Sequence, residues 1–142
     1  MKIRISLAIL FVAAMLFWQY FLKGYLLLPS AERFVDSFYD QYNRREFGYI
    51  YNVLADAKMR AHMQPPEFQY MMEDTHGKLG AVRETKRIGW KARFLKGQAY
   101  IFLTYKVKRA KAEATEKFTI VKKNNIWYVS DYVVRSAGFM NE

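Results

Sequence analysis

Three runs of alternating residues, set end to end between Gln98 and Val134, constrain this chain more than any other feature. Alternation at a period of two marks strands with unlike faces, and strands joined by short polar breaks form an antiparallel meander. In the first run Ala99, Ile101, Leu103, Tyr105 and Val107 share one parity, and Tyr100, Phe102, Thr104, Lys106 and Lys108 share the other. Phe118 and Ile120 oppose Thr119 and Val121 in the second, and the turn-competent Lys122-Lys123-Asn124-Asn125 precedes Ile126-Trp127-Tyr128-Val129. Upstream, Val82, Ile88, Trp90, Ala92 and Phe94 share a parity, which predicts a long first strand, exposed at its start and buried at its end. Lys96-Gly97 turns that strand into the next.

Before the sheet the apolar period changes to that of helices. Phe34, Val35, Phe38, Tyr39 and Tyr42 fall on one stripe, with Ser30 after Pro29 as the expected N-cap. Tyr49, Ile50, Val53, Leu54 and Ala57 predict a second helix, which Gln64-Pro65-Pro66 must end. Phe68, Met71, Met72 and Leu79 give a third, closed by Gly77 and Gly80. Three helices followed by four strands, segregated in sequence, specify an α+β layer packing with helices on one side of an antiparallel sheet.

The N-terminus reads differently. Lys2 and Arg4 precede Ile5 to Leu22, 18 residues without a charge, long enough to span a bilayer core. Ile5, Leu10, Phe11, Leu16, Phe17 and Trp18 are the expected bilayer contacts, and Trp18, Tyr20 and Tyr25 suit the headgroup level at the far end. The positive-inside rule keeps Lys2 and Arg4 cytoplasmic and sends the rest of the chain across. A cleaved signal peptide is the competing reading; Pro29-Ser30-Ala31 is the nearest approach to a cleavage site and is a poor one. The division is thus a transmembrane signal anchor over 1–29 and an extracytoplasmic domain over 30–142. There is no cysteine, which removes disulfides, thiolate metal sites and a cysteine nucleophile together.

Of 23 Lys and Arg against 13 Asp and Glu, 20 and 13 lie beyond the anchor, leaving the domain near +7. Such a charge favours anionic neighbours. Arg83, Lys86, Arg87, Lys91, Arg93 and Lys96, with the later Lys106, Lys108, Arg109 and Lys111, are the candidates for a basic stripe on the outer sheet face. Tyr100 and Phe102 share parity with part of it, as stacking against a polyanion would require; a solvated edge that discourages strand pairing explains the same lysines.

Taken together, AERFVDSFYDQYNRREFGYIYNVL, PPEFQYMMEDTHGKLG and the late EKFTIVKKNNIWYVSDYVV hairpin resemble the nuclear transport factor 2-like, or cystatin-like, superfamily. The resemblance covers about Ser30 to Arg135. It implies three helices packed on a curved, cone-like four-stranded sheet, as in small membrane-anchored bacterial members of uncharacterised function, with the domain on the periplasmic side of the inner membrane. It also implies two alternatives: a small-molecule or enzymatic cone of the ketosteroid isomerase or dehydratase type, and an assembly component of a secretion system. Because fold does not dictate function, the site must carry the choice.

For a cone, the candidate pocket residues are Tyr39, Tyr42, Trp90, Trp127 and Asp131. Asp131 shares parity with Trp127, Val129 and Val133 and is expected to face the core, where a carboxylate needs a partner or a raised pKa. A pocket filled by Phe38, Met71, Trp90 and Trp127 instead implies a binding or scaffold domain. His62 and His76 sit in polar surroundings, fourteen positions apart, without a carboxylate pair at ligand spacing, so no metal is expected. Gly77-Lys78-Leu79-Gly80 is too short for a phosphate loop, and there is no Gly-x-Ser-x-Gly elbow. No cofactor is called for and no catalytic residue is assigned. The expected partners are the bilayer and another envelope protein or an anionic surface.

Overall fold

A single helix, α1 (Lys2–Asn43), runs from the N-terminal apolar segment into the heart of the domain. The computed structural model describes residues 2–139 of the chain, with the side chains of Lys2, Ile3 and Ile5 outside the described set, so the expected bilayer contact of Ile5 lies outside it too. At 1.5 Å per residue α1 is about 63 Å long. Its first half is exposed and apolar: Leu10, Phe11, Leu16, Phe17 and Trp18 all face outward. The helix is long and apolar enough to cross a membrane. From Leu28 onward Ala31, Val35, Phe38, Tyr39 and Tyr42 are buried along one stripe.

The expected break at Pro29-Ser30 does not occur, and the boundary between 29 and 30 falls inside α1. Proline removes one amide donor and crowds the carbonyl four residues back, at a cost of about 3 kcal/mol in a helix interior. Tertiary contacts on either side offset it. Leu28 and Ala31 are buried, and the Ser30 hydroxyl, expected to cap a new helix, accepts the Trp127 indole N–H at 2.8 Å.

The next helical stretch is also reshaped. A short α2 (Phe47–Tyr49) leads into a π-turn over Ile50–Leu54, in which the Ala55 amide donates to the Ile50 carbonyl five residues back at 2.8 Å. The wider turn shifts the buried face, so that Phe47, Ile50, Tyr51, Leu54 and Ala55 point inward while Tyr49 and Val53 are exposed. Ala55 then bridges Val129 in parallel, and the Asp56 amide donates to the Val129 carbonyl at 2.8 Å. α3 (Ala57–His62) and α4 (Pro65–Leu79) follow; α4 starts on the two prolines, as its sequence predicts, and buries Phe68, Met72 and Leu79.

The sheet is a four-stranded antiparallel meander in the order β1 (Val82–Leu95), β2 (Gln98–Arg109), β3 (Glu113–Lys123), β4 (Ile126–Arg135), with no pairing between β1 and β4 to close it. Lys96-Gly97 and Asn124-Asn125 make the β1–β2 and β3–β4 turns, with all four residues at positive φ, as two-residue hairpins of matching twist require. The alternation is broken at three places, one of them between Val82 and Glu84 at the start of β1; the other two re-aim side chains. One falls between Arg87 and Gly89 and leaves Ile88 exposed rather than on the face of Trp90; the other leaves Ser130 as the extra residue between Val129 and Asp131. The inner face, covered by the helices, carries Ile101, Leu103, Tyr105 and Val107 from β2 and Phe118 and Ile120 from β3.

α1 packs tightly on β1 at Gly24, where a Cβ would lie 2.6 Å from that of Ala92 and 3.3 Å from the Trp90 ring. Gly24→Leu should therefore force α1 off β1 and lower the Tm in detergent by about 5–10 °C. Gly77→Ala, on α4 with open space around it, should leave the Tm equal or slightly raised. Thermal unfolding followed by circular dichroism compares the two.

Candidate functional site

The inner sheet face carries two charges where its parity calls for apolar residues. Arg109 ends β2 on the parity of Val107, and Glu116 lies on β3 on the parity of Phe118; both side chains are wholly shielded from solvent. Such a pair is stable only when every polar atom is matched. Arg109 donates from Nε to Glu116 Oε2 at 2.8 Å and from Nη2 to Oε1 at 2.7 Å, a two-pronged fork. Its other three N–H groups reach the Tyr132 hydroxyl at 2.9 Å, the Tyr42 hydroxyl at 2.6 Å and the Gly80 carbonyl at 3.3 Å. All five guanidinium donors are therefore used. Glu116 Oε1 also accepts from Tyr39 at 3.0 Å and from Tyr132 in a short hydrogen bond.

Four elements hold these side chains. α1 delivers Tyr39 and Tyr42 three residues apart on its buried stripe, β2 and β3 bring Arg109 and Glu116, and β4 brings Tyr132. The loop between β2 and β3 is pinned to the end of α4 by the Ala110 and Lys111 amides, which donate to the Ala81 and Leu79 carbonyls, both at 2.9 Å. This places Gly80, at φ 83, against Arg109.

Burial, reinforced by the nearby Glu116 carboxylate, pushes the phenols of Tyr39 and Tyr132 well above their ordinary value. Burial also raises Tyr42, although Arg109 opposes the shift. Burial disfavours the charge on Arg109, but its hydrogen bonds to Glu116 and the surrounding acidic groups outweigh that and raise its pKa. The three phenols thus stay protonated at neutral pH: Tyr39 and Tyr132 donate to Glu116, and Tyr42 accepts from Arg109. Chemically, the cluster is a saturated crosslink.

Of the expected pocket residues, only Tyr39 and Tyr42 come together. Trp127 is buried at the other end of the sheet, held by Ser30, with Lys122 Nζ 5.5 Å from its ring. Trp90 is half-buried on β1 beside Phe21. Asp131 corrects its expectation: the Ser130 bulge inverts the parity of β4, so Asp131 is exposed on the outer face and Tyr132 points inward. The Asp131 carboxylate accepts the Tyr132 amide at 3.0 Å. Arg109, Glu116 and Tyr132 are the residues that sequence reasoning missed. Parity alone would have placed Arg109 and Glu116 inside, had their charge not suggested the surface.

The helix-covered face of the sheet is closely packed around the cluster. Phe38 packs edge-on against Phe118 at 5.1 Å and tilted against Tyr132 at 5.0 Å, and Tyr132 meets Phe118 at 4.7 Å. A recess of about 270 Å³ stays open between α4 and β4, walled by Met71, Met72, Tyr132 and Val134, with Asp74 and Thr75 as its polar rim.

The basic stripe divides. Arg83, Lys86, Lys91, Arg93, Lys106 and Lys108 are exposed, and Lys86 pairs in register with Lys106, Lys91 with Phe102 and Arg93 with Tyr100. Lys108 lies 3.8 Å from Glu84. Arg87 and Arg109 do not belong to it: Arg87 reaches Glu32 on α1 at 3.0 Å, and Arg109 is buried. Lys111 donates to the Gly77 carbonyl at 2.6 Å. His62 is exposed on α3, whereas His76 is half-buried, its ring 5.2 Å from that of Tyr42.

No protein-family model matches this sequence, and no curated protein matches it either.

Two predictions test the cluster. Arg109→Met or Glu116→Leu alone should cost about 3–5 kcal/mol, because each leaves buried partners unmatched. The double variant Arg109→Met/Glu116→Leu should cost at least about 2 kcal/mol less than the sum of the singles in urea unfolding. The second concerns pH. Burial, then Arg45 and Arg109, lower the pKa of His76, so protonation favours the unfolded chain. Stability is full above the ordinary histidine value of about 6.5 and declines as pH falls from there through the lowered folded-state value. His76→Gln should flatten that decline in a series of urea midpoints between about pH 7 and pH 5.

Proposed function

We propose that this chain is a membrane-anchored scaffold or binding domain of nuclear transport factor 2-like type, held on the periplasmic side of a bacterial inner membrane and without catalytic activity. The observation that carries this reading is the continuity of α1: the apolar segment and the core helix of the domain are one helix, 42 residues long. A domain built this way is held at fixed height and orientation, as presentation of a surface requires and turnover of a diffusing substrate does not. The filled interior points the same way. Phe38 and Trp127 are buried, Met71 and Trp90 pack against the core, and the polar groups nearest the concave side saturate one another.

The surface offered is the outer sheet face, over which no helix packs among the described residues. Tyr100, Phe102 and Tyr128 form a half-buried aromatic stripe there, with the exposed pair Lys86 and Lys106 further along the same face. Aromatic planes beside unpaired cations suit an anionic patch on another envelope protein.

Orientation follows from Lys2 and Arg4 on the cytoplasmic side. In a bacterial host the full chain should stay with the membrane through alkaline carbonate extraction. Added protease should degrade the domain in spheroplasts, while its N-terminus stays protected. A mature protein beginning at Ala31, or a domain protected in intact spheroplasts, would overturn the proposal.

A further inference from the structure

Beside the anchor, α1 and β1 enclose a lateral groove of about 570 Å³. Its walls are Phe17, Tyr20 and Phe21 from α1 and Trp90, Ala92 and Phe94 from β1, with Phe21 5.7 Å from Trp90 and Tyr20 6.3 Å from Phe94, centroid to centroid. Lys91 and Arg93 also line it. We propose that this groove seats an anionic phospholipid of the surrounding bilayer, its acyl chain between the aromatic walls and its phosphate against Lys91 and Arg93. The inference rests on the membrane-anchor reading above.

Length places the groove in lipid. From Arg4 to Phe17 is thirteen helical steps, or about 20 Å, whereas a hydrocarbon core is about 30 Å thick. With Arg4 at the cytoplasmic face, Phe17 to Leu22 must still lie within or at the edge of the far leaflet. Those are the residues that pack on β1, so the end of β1 is carried down with them. The apolar walls then face acyl chains rather than water. Phe17 and Trp18, 72% and 63% exposed, agree with such a setting, as do Leu95 and Ile126, 49% and 54% exposed at the two hairpin tips that share this end of the sheet.

Charge selects the headgroup. From Gly89 to Lys106 the chain holds no acidic residue, while Lys91, Arg93 and Lys96 are all exposed and, among the described residues, take part in no ion pair. Lys23 is exposed on α1 next to Gly24. Each basic group near an anionic membrane surface favours it by about 1 kcal/mol, so two at the rim make a preference of about tenfold or more for phosphatidylglycerol over phosphatidylcholine.

The test uses the full-length chain in nanodiscs of phosphatidylcholine with a minor fraction of phosphatidylglycerol, bromine being placed on the acyl chains of one lipid or the other. A variant keeping only Trp90 (Trp18→Phe/Trp127→Phe) reports the groove, and one keeping only Trp18 (Trp90→Phe/Trp127→Phe) reports the anchor. Trp90 emission should be quenched about tenfold more effectively per mole by brominated phosphatidylglycerol, and Lys91→Gln/Arg93→Gln should reduce that preference to about twofold. Native mass spectrometry of the unsubstituted protein released from the same discs should show retained phosphatidylglycerol. Quenching of Trp18 without Trp90, or equal quenching of Trp90 by both lipids together with no retained phosphatidylglycerol, overturns the groove while leaving the anchor intact. Quenching of neither tryptophan overturns both.

Discussion

A guanidinium and a carboxylate sealed from water inside a small domain hold the rest of this structure to one arrangement. Apolar packing tolerates small slides, but Arg109 and Glu116 do not, because a shift of an ångström leaves a buried charge with an unmatched partner. The five donors of Arg109 tie β3, β4, α1 and the loop after α4 to the end of β2. Replacing the whole cluster with apolar side chains would not have to weaken the fold; what it would lose is the requirement that Tyr39, Tyr42 and Tyr132 converge on one point.

That convergence depends on the bulge at Ser130. Without the extra residue, β4 would keep the alternation of its first half, and Asp131 would enter the interior beside Glu116 while Tyr132 faced water. Two buried carboxylates around one arginine would be costly. The bulge removes one acid from the interior and supplies a phenol that donates to Glu116 and accepts from Arg109. Ser130 itself is buried, and the adjoining Val129 is the residue that the chain around Ala55 and Asp56 joins, covering part of the β4 edge that an open sheet would otherwise leave free.

Most of the architecture was legible in the sequence because it is set by period. The four strands, both tight turns and the helix that begins on Pro65-Pro66 follow from alternation, turn chemistry and proline geometry. What was not legible arises where one extra residue changes the phase. The π-turn at Ile50–Leu54 rotates a helical face, and the bulges at Ile88 and Ser130 invert strand faces, none of them with a local sequence signal strong enough to outweigh the regular pattern. Arg109 and Glu116 were hidden for another reason: a charged residue on a strand is usually solvated, and only their partners, at 67 and 77 positions' separation for Tyr42 to Arg109 and Tyr39 to Glu116, explain why these are not.

The continuity through Pro29 connects that cluster to the apolar first half of α1. After Gly24 seats on Ala92, α1 is fastened to the sheet at Ser30 by Trp127, at Glu32 by Arg87, at Tyr39 and Tyr42 by the buried pair, and at Asn43, whose side chain both donates to and accepts from the backbone of Val82. These contacts recur along about 28 Å of helix, at both edges of the sheet and in its middle, so that, among the described residues, the sheet and the apolar first half of α1 are held as one piece. A proline at a flexible junction would have let the sheet sample many orientations. Here the same residue sits inside a helix fastened to the sheet before it, at Gly24, and after it, at Ser30, so the aromatic and basic outer face keeps one direction relative to the apolar first half of α1.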